Sequence, residues 1–198
     1  MTTKQRLVLA VLAGTMVMFV WGAVSHLVLF KGTGFSRLPN EDRVRAELRR
    51  SIPSDGLYFF PSPDLSGRAT PAETASWEAK FKAGPTGMII YHPSGSAPIS
   101  GEKLFIQFLS HLIGAALATF IASLLQRSYW TRVLVVGLLG AFGPLTVGTI
   151  LWNWYGFPTS FFAAQVVDMV VGWSLAGAAI AAVLGPRQPA HPRRQAVR

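Results

Sequence analysis

The sequence predicts an all-α membrane fold, a bundle of four transmembrane helices with a small α/β extracytoplasmic domain inserted between the first and second. Three observations carry that expectation. Charged residues make up only 14% of the 198-residue chain, against about 25% in soluble domains. The deficit is concentrated in four long apolar runs, residues 7–30, 104–125, 133–152 and 161–184, each near the roughly 20 residues that a bilayer core requires. Between the first two runs lies a polar stretch, 31–103, with cap, turn and strand signals of its own.

Residues 1–30 are expected to form a short N-terminus and the first span. Lys4 and Arg6 ahead of an apolar run also describe a secretory leader, and Ala23-Val24-Ser25 resembles a small-x-small cleavage site. The run continues to Phe30, beyond the usual apolar core of about 7–15 residues, so it is expected to be retained. In lipid every backbone polar group must be satisfied within the segment, so all four runs are assigned as helices.

The inserted segment is expected to fold as helix–strand–helix–strand. Asn40 can cap a helix through Ser51, with Glu41 and Asp42 in its first turn, where carboxylates suit the helix dipole. Pro53 and Gly56 end it, and residues 57–60 (LYFF) form a strand closed by Pro61. Thr70-Pro71-Ala72-Glu73 combines an N-cap, proline at the first helical position and the glutamate of a capping box. That helix is expected to reach Lys82 and to bury Trp77 and Phe81 at i, i+4. Gly84-Pro85 then turns the chain into a second strand at 87–93 (GMIIYHP). A domain of about 70 residues is marginal on its own and is expected to lean on the spans or a partner. The segment 104–185 carries the remaining spans, and 186–198, rich in Pro, Arg and Gln, is expected to be disordered.

Orientation follows from the short loops. Arg127 and Arg132 flank the connection 126–132, whereas 153–160 has no charge. Lys and Arg favour the cytoplasmic side, which gives an N-in, C-in topology with 31–103 and 153–160 outside. Trp152, Trp154 and Tyr155 at one boundary, with Tyr129 and Trp130 at the other, fit aromatic belts.

The net charge of +9 does not imply nucleic acid. Much of the excess lies at span ends and in Arg187, Arg193, Arg194 and Arg198, where it sets topology and attracts anionic headgroups. No nucleic-acid-binding motif accompanies it. The chain has no cysteine, which excludes disulfides, thiolate chemistry, iron–sulfur clusters and Cys-based zinc sites. No P-loop, G-x-S-x-G, G-x-G-x-x-G or HExxH occurs, and Tyr91-His92-Pro93 fits a strand end better than a catalyst. An enzyme is unsupported.

The polar residues inside the apolar runs are the candidate site. His26 in the first span, Gln107 and His111 in the second, and Gln165 and Asp168 in the fourth fall in the outer third of the bundle. Gly22, Gly114 or Ala115, Ala118, Gly172 and Ala179 share their stripes, and small residues mark close helix contacts in membranes. The ordinary interpretation is interhelical glue, with Asp168 as anchor. The functional alternative is a proton-linked or metal- or haem-binding site on His26, His111 and Asp168, since imidazole and carboxylate suit zinc, iron or copper by ligand type.

Trp21-Gly22-x-x-Ser25-His26, Leu38-Pro39-Asn40-Glu41-Asp42 and Leu57-Tyr58-Phe59-Phe60-Pro61 together resemble motifs of a group of small uncharacterised bacterial inner-membrane proteins. The resemblance covers residues 10–95. It implies a bacterial inner-membrane setting and brings no activity, cofactor or assigned site. The expected function is non-enzymatic: an accessory or scaffold protein in the lipid bilayer whose outer domain contacts a membrane-protein partner or its own copies, without nucleic acid.

Overall fold

The computed structural model describes residues 1–125 and 128–185. The sequence expectations for Arg127 and for the tail 186–198 therefore lie outside the described residues. Helix α1 (Thr3–Val24) runs into a π-helical turn, Ser25–Leu29. Then come α2 (Glu41–Ser51), β1 (Gly56–Phe60), α3 (Pro71–Ala83), β2 (Gly87–Tyr91) and α4 (Gly101–Leu124). Helix α5 (Tyr129–Gly143) continues through a second π-helical turn, Pro144–Gly148, into α6 (Thr149–Tyr155), and α7 (Thr159–Leu184) follows.

Four helical stretches are long and apolar enough to cross a membrane: Thr3–Leu29, Gly101–Leu124, Tyr129–Tyr155 and Thr159–Leu184. All four start earlier than hydropathy alone predicts, and for α4 and α5 a serine caps the start. Ser100 Oγ accepts from Lys103 N at 3.3 Å and Ser128 Oγ from Thr131 N at 3.3 Å, satisfying donors that a helix start leaves open.

The chain divides into two units. One holds Met1–Gly34, Ile99–Thr149 and Thr159–Arg198, and the other Phe35–Pro98 with Ile150–Pro158. The interspan unit thus recruits the end of the third span, a grouping that the contiguous boundary 31–103 did not anticipate.

In the first unit α7 is the hub, packing most extensively on α5 and α1, while α4 lies on α1. The seams are built from small residues. A Cβ on Gly14 would lie 2.8 Å from Ile180 Cδ1, so the α1–α7 contact depends on hydrogen at that position. Ala10, Ala118, Ala122, Val136 and Ile180 form the buried cluster. Large apolar side chains such as Val20, Leu117, Leu134 and Phe142 face outward, the arrangement expected where lipid tails are the solvent.

Arg132 is only 5% exposed at the start of α5. Its Nη1 donates to Gly185 O at 2.7 Å and its Nη2 to Leu125 O at 3.2 Å. Those carbonyls stand at the C-terminal ends of α7 and α4, which lack intrahelical donors and carry the negative pole of the helix dipole. The guanidinium therefore clasps two helix ends from the start of a third.

In the interspan unit β1 and β2 pair antiparallel, with Leu57 opposite Ile90 and Phe59 opposite Met88. Thr70 and Glu73 form the expected capping box: Thr70 N donates to Glu73 Oε2 at 2.8 Å and Glu73 N to Thr70 Oγ1 at 3.3 Å. The backbone and side-chain hydrogen bonds from Thr70 hold the Glu73 carboxyl below the usual glutamate range. Phe59 stacks on Phe81 at 5.9 Å, and Trp77 Nε1 donates to Pro61 O at 3.0 Å, which joins α3 to the hairpin. Trp77 and Phe81 meet as expected, but neither is fully buried: Phe81 stays 37% exposed.

One expected cap is corrected. Asn40 occupies the N-cap position of α2 with a left-handed backbone (φ 52°, ψ 42°), and its side chain makes no capping bond. A capping side chain reaches the N2 or N3 amide from an extended backbone. Asparagine is here because it tolerates the left-handed region, and the turn it makes leads the chain into the helix.

Candidate functional site

The intramembrane polar side chains are organised around α1, which presents Trp21, Gly22 and Ser25–His26 to its neighbours. Trp21 Nε1 donates to Asp168 Oδ1 at 2.8 Å and lies 3.1 Å from Asp168 O. The indole N–H has no partner within its own helix, and a half-buried carboxylate in an apolar span needs a donor, so each satisfies the other. Gly172, one turn beyond Asp168, makes room: a Cβ there would sit 2.6 Å from Trp21 Cδ1. Only glycine lets the ring lie flat enough against α7 to reach the acid one turn earlier.

His111, half-buried on α4, pairs with Gln107 one turn earlier, its Nε2 3.0 Å from Gln107 Nε2. With the amide NH₂ turned to the ring, Nε2 accepts and the proton of a neutral imidazole lies on Nδ1. The ring meets Phe19 edge-on at 6.5 Å, and its Nε2 is 3.8 Å from the point a Cβ on Gly22 would occupy. His111 thus faces α1.

His26 is exposed, and its neighbour Ser25 is fully buried. The His26 ring folds back on its own helix, with Nδ1 2.9 Å from Ser25 Oγ and 3.1 Å from Gly22 O. Gln165 is half-buried and turns toward the third span, with its Oε1 3.7 Å from the Cβ position of Gly148 in the second π turn. Of the five sequence-predicted residues, Gln107 and His111 bond each other, Asp168 bonds Trp21, His26 bonds its own helix, and Gln165 faces elsewhere.

Among the described residues no three His, Cys, Asp or Glu side chains gather as a metal-binding group. Zinc-type ligation requires three or four donors about 2.0–2.3 Å from one point. Here Asp168 is tied to an indole, His111 to an amide, and His26 lies along its own backbone, so His26, His111 and Asp168 do not converge.

Two π-helical turns bracket the layer. Ser25–Leu29 carries Ser25 and His26, and Pro144–Gly148 ends at the glycine that Gln165 faces. Pro144 removes a backbone donor, and hydroxyls compensate nearby. Thr146 Oγ1 donates to Phe142 O at 2.7 Å, and Thr149 Oγ1 to Leu145 O at 2.6 Å, which keeps loosened carbonyls satisfied in an apolar setting.

Trp21 and Arg132 are the residues whose partners sequence reasoning missed. Trp21 was legible as an indole donor well inside an apolar run, away from the interfacial level where such rings usually find water. Arg132 was legible only as a topology signal. Comparison with family models, with characterised proteins and with solved structures finds no match to the chain.

Proposed function

We propose that this chain is a non-enzymatic accessory protein of the bacterial inner membrane, crossing it four times with both termini inside. Its outer domain docks on a membrane-protein partner or on a second copy. The observation that carries the reading is the cross-strand pair Leu57 and Ile90, directly opposite each other on the hairpin and 65% and 70% exposed. Paired large apolar side chains on one face of a small sheet mark an interaction surface. The unit also lacks a fully buried side chain among its described residues, so it gains stability from whatever covers that face.

A photo-crosslinking amino acid placed at Leu57 or Ile90 in living cells should yield one discrete adduct, either with a membrane protein or with the chain itself. The same probe at Arg43, on the exposed surface of α2, should not. Equal, diffuse adducts from all three positions would remove the docking reading.

The orientation rests on the charge-free segment 153–160 against Arg132 and Arg127. With single cysteines at Ser66, Ser128 and Ser160, an impermeant thiol reagent on intact cells should label the first and third. Labelling of Ser128→Cys alone would invert the topology.

A second reading, a proton-linked membrane protein, is favoured by one arrangement. Asp168 and His111 lie inside spans between two π-helical turns, and such turns recur at functional sites. Substitution at Asp168 separates the two readings.

A further inference from the structure

The nine acidic side chains of the chain are Glu41, Asp42, Glu47, Asp55, Asp64, Glu73, Glu78, Glu102 and Asp168. None belongs to the end of the bundle where α1 and α5 begin and α4 and α7 finish. The acid nearest to that end along α7 is Asp168, about 25 Å from Gly185 at about 1.5 Å per residue. That distance is several Debye lengths, about 8 Å at physiological ionic strength. The same end gathers cations. Arg132 Nη1 holds Gly185 O at 2.7 Å, and Arg6 Nη1 lies 3.6 Å from the point a Cβ on Gly185 would occupy. Two guanidinium groups therefore meet at one residue with no acidic side chain among the described residues to separate them.

The helix ends compensate only one of these charges. The C-terminal poles of α4 and α7 each contribute about half a negative charge, which together offset Arg132. Arg6 and Lys4 stand in the first turns of α1, where no acid is present and the dipole itself is positive. On the Lys4 side of α1 runs a groove of about 450 Å³ lined by Met1, Lys4, Gln5, Val8 and Leu9. It has a cation at one end and an apolar wall along the span, with Val8 59% and Leu9 45% exposed. That order, charge and then hydrocarbon, is the order of a phospholipid.

We propose that this pole binds an anionic phospholipid, its phosphate held by Lys4, with Arg6 adding to the positive field from the α7 side, and an acyl chain lying along Val8 and Leu9. A second copy packed in parallel is disfavoured, because it would set the same cations against these with no acid on either side. A neutral lipid would leave the excess charge in place.

The test uses the full chain purified in a neutral mild detergent, with lipid retention measured by native mass spectrometry. Phosphatidylglycerol should remain bound one to one where phosphatidylcholine does not. Lys4→Gln combined with Arg6→Gln should weaken it roughly 30-fold, from about a fivefold contribution by each surface cation. Both side chains are exposed, so the fold is retained, and Arg6→Lys, which keeps the charge, should retain the lipid. Equal retention of the two lipids, or retention unchanged in the double variant, overturns the proposal. Inorganic phosphate displacing the lipid at equal concentration would reassign the site to a free anion. A dimer that persists in lipid-free detergent and excludes phosphatidylglycerol would reassign the groove to a second copy.

Discussion

Arg132→Ala is expected to lower the unfolding free energy in detergent by about 3 kcal/mol, since each hydrogen bond to a charged group contributes about 1.5–3 kcal/mol. The substitution frees the carbonyls of Leu125 and Gly185 together, so two helix ends lose their donor at once. It also removes the cation that faces two negative dipole poles. Arg132→Lys keeps the charge but not the planar fork that reaches both carbonyls, and should fall between wild type and alanine. Denaturant titration followed by far-UV circular dichroism measures all three. A loss below about 0.5 kcal/mol for alanine would mean that water serves these carbonyls as well as the guanidinium does.

The second large effect is expected at the Trp21–Asp168 bond. Trp21→Phe keeps most of the ring and removes the donor. Asp168→Leu keeps the bulk and removes the acceptor. Each should cost about 1–2 kcal/mol, within the range for an orphaned buried polar group and near the upper end measured for bonds between membrane helices. The double variant should cost little more than either single one, because the bond is lost only once. Asp168→Asn retains a carbonyl oxygen that can accept from Trp21 Nε1 at the same 2.8 Å separation, so it should stay close to wild type. Asparagine as damaging as leucine would mean that the charge itself matters, which is the outcome the proton-linked reading requires. Additive single effects would show that the indole and the acid do not depend on each other.

The spans were legible because composition alone determines what a bilayer accepts, and Thr70–Glu73 was legible because a capping box is a local pattern of four residues. The polar layer was half legible. A histidine, an acid or an amide stands out against apolar neighbours, so its members could be named from the sequence. Their partners could not be, because counting in steps of four assumes an unbroken α-helix. At Ser25–Leu29 the turn widens, each residue advances by a smaller angle than in an α-helix, and the inferred face drifts. The result is a buried Ser25 beside an exposed His26, opposite to the ranking that side-chain chemistry suggests. Asp168 is grouped with His26 and His111 in the sequence because all three are titratable. The donor it meets is an indole, which carries no charge and was counted only as part of a motif.

The hub position of α7 bears on how the molecule is made. Of the four spans it is the last to leave the ribosome, yet α1 and α5 both pack on it. Trp21 and its acceptor are separated by 147 residues; at about 5–20 residues per second, translation leaves the indole waiting about 7–30 s for Asp168. Arg132 likewise waits for Gly185. Until then the early spans are threaded into the bilayer with their glycine seams facing lipid and their polar donors unpaired. A nascent chain arrested before α7 therefore displays the Trp21 and Arg132 donors that the finished protein pairs, a ready mark of incompleteness for membrane proteases and insertion chaperones.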